Sequence, residues 1–322
     1  MQIFSKPNFN FIRWRWHAIA LSVVVILAGV AMIATKGLPL GVDFKGGSIL
    51  ILKFDQAVSE DDVRSALNSI PGEKTVQKYG AADANEILIR LPQSVEHEEG
   101  ALLDKDIKAA TDAIAAANLG RFEEIGKEVV GPVVGAQLQR KGLYATLFSI
   151  LGITIYIAFR FRFSFALGAI AATFHDIFVT VAFLTFFGYD LTLNIVAALL
   201  TITGYSVNDT IVIFDRVREN FRFMRKDSLE EVVNTSVNQT LSRTIITAGT
   251  TFLAVLSLFL FGGEVLEGFA FTMLVGIVSG TYSTVFIAAA VAIILSRKKA
   301  EARAAAPAPG NGERKKNGKK AR

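Results

Sequence analysis

Along the chain, apolar residues gather into six stretches near the ~20 residues that an α-helix needs to cross a bilayer. They run from Trp16 to Thr35, Gly142 to Phe159, Phe165 to Phe187, Leu191 to Phe214, Thr244 to Phe261 and Phe269 to Leu295. The first has an apolar core too long for a signal peptide, and no small-residue cleavage pattern follows it, so it reads as a retained anchor. Between the first and second stretches the pattern changes. Ser48 to Phe54 predicts a strand, and Ser59, ahead of three acidic residues, predicts a capped helix. Pro71 and Gly72 mark a turn; Thr75 to Tyr79 and Glu86 to Leu91 predict short strands. Leu102 to Asn118 predicts an Ala-rich amphipathic helix and Phe122 to Val130 a last strand. The order βαββαβ is the ferredoxin-like arrangement, a scaffold that identifies no function by itself.

The expected fold is therefore an α-helical polytopic membrane protein with six transmembrane helices and an α+β ferredoxin-like domain between helices 1 and 2. Its division is a short N-terminus (1–15), helix 1 (16–35), the α+β domain (36–141), helices 2 to 6 (142–295) and a basic tail (296–322). A hydrophobic content of 52% and a mean hydropathy of +0.43 agree, being too apolar for an ordinary soluble chain.

Charge sets the orientation. Of 34 Lys and Arg, 21 fall in the N-terminus, the loops after helices 2 and 4 and the tail. The other 13 lie between Lys36 and Lys141, where 17 acidic residues outnumber them. Cytoplasmic loops collect positive charge, so both termini are expected in the cytoplasm and the α+β domain in the periplasm, with the chain in a bacterial inner membrane. The net charge of +5 is then topological, and no specific nucleic acid is implied. The tail from Ser296 to Arg322 lacks periodicity and predicts disorder. It reads as a positive-inside anchor, with anionic lipid or ribosomal RNA as the other possible contacts.

With no cysteine, disulfides, thiol catalysis and cysteine metal sites are excluded, and three scattered histidines make no metal site. GVDFKGG, with Gly41, Asp43, Phe44, Gly46 and Gly47, has the glycine spacing of a phosphate loop, but Gly47 stands where the lysine must be. No GxSxG, HExxH or GxGxxG motif occurs, and Asp209 lacks the preceding Gly-x-Gly of intramembrane aspartyl proteases. No enzyme activity and no cofactor are expected.

Ionisable groups inside spans are costly, ~2.5–3.5 kcal/mol at the centre, and mark function by default. Asp176, beside His175, lies 12 residues from both Ser164 and Gly188. Asp209, beside Asn208, lies 19 residues from Asp190, and Arg243 lies 19 from Gly262, so the two reach a common depth. Ser206, Tyr205 and Thr201 precede Asp209 at helical spacing, and Thr247, Thr250 and Thr251 follow Arg243. Such stripes can line a wet, proton-conducting crevice. Set against this, Arg243 can also be read as a residue snorkelling to the interface, Asp209 as an uninvolved structural group, and His175 with Asp176 as a packing element. Gly276 and Gly280 form a small-xxx-small helix contact.

These motifs, together with VGPVVG from Val130 to Gly135, the run from Gly204 to Asn220, SRT at Ser242 to Thr244 and Gly276 to Ser283, resemble in order and spacing the SecF family of bacterial protein-secretion subunits. That family lies within the resistance-nodulation-division superfamily, and the likeness spans nearly the whole chain except the tail. The resemblance implies a six-span SecD as partner, with the SecYEG channel, SecA and the translocating preprotein, and possible contact with YajC and YidC. It implies proton coupling by Asp209 and Arg243, with Asp176, His175, Asn208 and Thr247 as relay or structural residues. The implied function is promotion of polypeptide export by the proton motive force. Two other readings remain: a half-transporter for a lipid or small hydrophobic molecule, and a passive scaffold for SecD.

Overall fold

The computed structural model describes residues 7–71, 74–80, 84–91 and 103–305. A first helix, α1 (Arg15–Lys36), ends at Gly37 with φ +82, a conformation that glycine adopts without strain. Next come a single turn, α2 (Val42–Lys45), and then β1 (Gly47–Phe54), α3 (Glu60–Ala66), β2 (Thr75–Tyr79), β3 (Glu86–Leu91), α4 (Leu103–Ala116) and β4 (Phe122–Val130). The four strands form one antiparallel sheet in the order β2-β3-β1-β4, the ferredoxin-like order that the strand pattern predicts.

Register follows the alternation of side chains. Ser48 pairs with Leu91 and Lys53 with Glu86 across β1 and β3, while Gly47 pairs with Val130 across β1 and β4. One residue is extra on β4, where the pairing shifts between Ile51 and Leu52. Leu50, Leu52, Phe54, Ile87, Ile89 and Leu91 point to one face, which Val63, Leu67, Ile107, Ala110 and Ile114 of the helices cover. Ser59 caps α3 by accepting from Asp62 N at 3.1 Å. The expected turn at Pro71 and Gly72 lies partly outside the described residues.

Five further helical elements complete the bundle: α5 (Pro132–Arg160), α6 (Phe163–Phe187), α7 (Leu193–Phe223), α8 (Leu229–Phe261) and α9 (Glu264–Ser283), the last continued by a π-turn (Thr284–Ala288) into α10 (Ala289–Ala305). Among the described residues, six helical stretches are long and apolar enough to cross a membrane. The helices outrun the apolar stretches, because leaving hydrocarbon does not end a helix that still has partners. α7 continues to Phe223 and α8 begins at Leu229, where Asn220 Nδ2 donates to Ser236 Oγ at 2.9 Å and to Gln239 Oε1 at 2.8 Å. Ser228 and Glu231 form a capping box that fixes the start of α8. The last helix runs to Ala305, so the first ten residues of the expected disordered tail are helical; 306–322 lie outside the described residues.

α6 and the α9–α10 rod occupy the centre of the bundle, and α5 and α8 lie at its periphery. Small residues permit the central contacts. A Cβ on Gly29 of α1 would fall 2.3 Å from Ala182 Cβ of α6, and one on Gly168 of α6 would fall 2.5 Å from Ala288 O.

Candidate functional site

Asp209 projects from α7 toward α8, where Thr244 Oγ1 donates to its Oδ1 at 2.8 Å. Its other oxygen, Oδ2, is buried with no hydrogen-bond partner among the described residues. Arg243, the residue before Thr244, is exposed and makes no ion pair with Asp209 within 4.0 Å among the described residues, although its charge acts on the carboxylate. Tyr205, one turn before Asp209, faces Thr251 of α8. Thr201 and Thr251 donate to the carbonyls of Ala197 and Thr247 at 2.8 and 2.9 Å. These hydroxyl protons are committed to the helix backbone, which leaves their oxygen lone pairs to face outward.

Each of the two helices leaves a polar stripe open. On α7 it comprises Thr201, Gly204 and Asn208, and on α8 Arg243, Thr247 and Thr250, all exposed in this chain. Asn208 and Thr247 therefore flank the Asp209 region on a face that no described helix covers.

Asp176 of α6 is the opposite case. It is 1% exposed, and its oxygens accept four hydrogen bonds: Oδ1 from Ser279 Oγ at 2.8 Å and His175 Nδ1 at 3.0 Å, Oδ2 from Ser206 Oγ at 2.5 Å and Ser283 Oγ at 2.8 Å. His175 Nε2 lies 2.8 Å from Ser22 Oγ of α1, and the Tyr282 hydroxyl donates to Ala18 O at 2.6 Å. One carboxylate thus ties together α6, α7 and α9, and its neighbouring imidazole adds α1. The π-turn follows Ser283 directly, and Thr284 and Thr210 share a hydrogen bond of 2.9 Å beside it. Such turns re-aim side chains within an otherwise regular helix.

The spacing argument assigns Ser206 to the stripe leading from Asp209, but the structure gives Ser206 to Asp176. Ser22, Ser279, Ser283 and Thr244 are absent from the candidates read from sequence. Ser279 and Ser283 carry a recognisable signal, two hydroxyls one turn apart that flank Gly280. Gly276 and Gly280 do set the helix contact: added Cβ atoms would fall 2.1 Å from Ile202 Cδ1 and 3.0 Å from Ser206 Cβ. That close approach of α9 to α7 brings both serines to the carboxylate. Asp215 of α7 meets Arg160 at the end of α5, at 2.7 Å.

The GVDFKGG segment lies at one end of the bundle, against the first turns of α5 and α7. Asp43 faces the start of α7, Phe44 is buried, and Gly46 and Gly47 adopt φ of +74 and +129 at the entry to β1. Among the described residues no group of three or more His, Asp or Glu is placed to hold a metal ion.

The family model described as "Protein export membrane protein SecD/SecF, C-terminal" matches residues 110–298, and the one described as "SecD/SecF GG Motif" matches residues 31–58. Among curated proteins, the "Protein translocase subunit SecF" of Rhodothermus marinus is 43% identical over 307 residues, covering 92% of this chain and 96% of that protein. Its counterpart in Desulfurispirillum indicum is 40% identical over 283 residues, 87% of this chain and 89% of that protein. That of Escherichia coli O157:H7 is 37% identical over 299 residues, 91% and 90%. Among solved structures, SecDF of Thermus thermophilus, described as a translocon-associated membrane protein, superimposes with a TM-score of 0.80 at 32% identity. The match covers 93% of this chain and 40% of that longer one.

Proposed function

The chain belongs to the SecD/SecF family of protein export membrane proteins, and from that membership we propose that it is a proton-driven auxiliary subunit of the Sec translocase. It works beside a six-span SecD, at the outer mouth of SecYEG, on polypeptides that SecA has driven into the channel. Both termini lie in the cytoplasm and the α/β domain lies outside, as the positive-inside rule requires.

One observation carries the reading. Among the described residues, Asp209 keeps a buried oxygen without a partner, next to a face that they leave open and that Arg243 borders. An unsatisfied acceptor in so apolar a place is costly unless a proton, a water or a partner's donor visits it. The open stripes of α7 and α8 are the place where SecD closes the crevice. Asp209 then carries the proton and Arg243 supplies the fixed countercharge. Asp176 has no free acceptor position and serves as the internal tie of the bundle.

The scale is adequate, since one charge crossing 100 mV releases ~2.3 kcal/mol, enough to bias a two-state domain roughly fiftyfold. The half-transporter reading has no support, as the relatives above are named protein translocase subunits. Proton influx into vesicles holding this chain with SecD and SecYEG, read by an internal pH dye during export, tests the proposal. Influx that rises with a translocating preprotein is expected; export stimulated without influx would reduce the subunit to a scaffold.

A further inference from the structure

The α+β domain is joined covalently to α1 and α5, and it is also hydrogen-bonded to the α6–α7 connection and the start of α7, which are remote in sequence. Gly41 N donates to Leu191 O at 2.7 Å and Leu191 N donates to Pro39 O at 2.6 Å, which forms a parallel bridge between Leu40 and Leu191. Two residues on, Leu193 N, in the first turn of α7, donates to Asp43 Oδ2 at 2.7 Å. Asp43 therefore satisfies one of the amides that a helix start leaves free. Arg90 of β3 forms an ion pair with Asp190 in the same connection.

The fit at this point is tight. A Cβ on Gly41 would lie 2.9 Å from Leu191 O, so only glycine allows the approach. From behind, a Cβ on Gly135 of α5 would lie 3.1 Å from Gly46 N and 3.3 Å from Phe44 O, so α2 is wedged between the first turns of α5 and α7. Gly47 then passes straight into β1, and Glu128 of β4 shares a hydrogen bond with Asp43. Gly37, where α1 ends, is by contrast free of neighbours: a Cβ there would meet nothing within 4 Å.

We propose that the GVDFKGG turn is a rigid joint, with Asp43 as its positioning residue, that transmits displacement of α7 to the α/β domain. Asp209 stands on the same helix, 16 residues from Leu193, or ~24 Å along the axis. Movement of α7 on a change of state at Asp209 turns the domain directly, while the free Gly37 link lets α1 stay behind. The transmission role rests on the proton-coupled reading above; the rigidity of the joint does not.

The test uses the full chain with SecD in liposomes, and the absence of native cysteine makes labelling clean. Spin labels at Glu123 of β4 and Arg225 beyond α7, both exposed, report the angle between domain and bundle. A narrow distance distribution is expected in the parent and in Asp43→Asn, which keeps an acceptor oxygen, and a broad one in Asp43→Ala. An equally narrow distribution in Asp43→Ala overturns the joint. Asp43→Ala is further expected to pass protons within about twofold of the parent while export falls at least fivefold; undiminished export together with a broadened distribution overturns the transmission. A disulfide between Leu40→Cys and Leu191→Cys should leave export intact, because the joint stays closed throughout the cycle. Export lost on oxidation and restored by reductant overturns the proposal. If the parent passes no protons at all, the proton-coupled reading fails, and the distance distributions and the disulfide still decide whether the joint is rigid.

Discussion

Two carboxylates in one bundle have opposite surroundings. Asp176 is sealed, with four donors on its two oxygens, and Asp209 is half-buried, held by a single threonine, with one oxygen free. Asp176 lies nearer the centre of its span, so depth alone would choose it as the functional group. The donors reverse that choice. A carboxylate whose acceptor positions are all filled can hold helices together but has no place to receive anything, whereas one with a vacancy at an open face can exchange its partner.

The contrast breaks most sharply at Asp209. Asp209→Asn is nearly isosteric and still accepts from Thr244 through its amide oxygen, but it cannot ionise. Proton-driven export should fall by up to roughly fiftyfold, the bias that ~2.3 kcal/mol per charge sustains, with normal co-purification of SecD. Export at the parental rate across a range of membrane potential would make Asp209 structural.

Arg243 comes next. Arg243→Met should abolish proton-dependent export and Arg243→Lys should reduce it partly, both at normal protein level. The ammonium keeps the charge but not the planar fork with which, on the proposed reading, Arg243 engages a carboxylate across the crevice. If the lysine variant is silent while the methionine variant inserts wrongly, the residue only sets topology.

At Asp176 the expected loss is of structure. Asp176→Asn places an NH2 donor against hydroxyl donors and should cost ~1–3 kcal/mol for each group left unpaired. The readout is a lower melting temperature and less protein in the membrane, with export per surviving molecule unchanged. Ser279→Ala removes one donor of four and should cost about 1 kcal/mol by the same measurement. Normal stability with lost export in Asp176→Asn would erase the distinction and put Asp176 on the proton path.

The six spans are legible from sequence because hydrocarbon imposes a long apolar run on any helix that crosses it, and the βαββαβ order is legible because strand alternation and the Ser59 cap are local signals. The far ends of α7 and α8 are not, since they depend on Asn220 meeting Ser236 and Gln239 across two helices. Ser206 shows the limit of spacing arguments. At 3.6 residues per turn it stands about 60° around α7 from Asp209, near enough to share a stripe on paper and far enough to face α6 instead. Asp176 and Asp209 were both visible as charges in the membrane. Apart from His175, their donors are hydroxyls 30 to 107 residues away, and that pairing is a property of the packing.

A third carboxyl, outside the membrane, extends the comparison and gives the smallest effect. Burial, then the charge of Asp43 and the hydrogen bond to it, hold Glu128 above its ordinary pKa of 4.5. In the folded protein Glu128 therefore keeps its proton in a window above that value where the unfolded chain has lost it. Fewer protons bound on unfolding means that stability falls as pH rises: the contribution is complete below about 4.5 and is lost as the pH climbs through the raised value. Glu128 is only partly buried, so solvent screens the effect and the expected change is slight. Thermal unfolding of the full chain should show a shallow decline from mildly acidic to neutral pH that Glu128→Gln, permanently neutral and still a donor to Asp43, flattens. An unchanged slope in that variant would mean that the acid pair at the joint is not what titrates, and would leave Asp43 held only by the amide of Leu193.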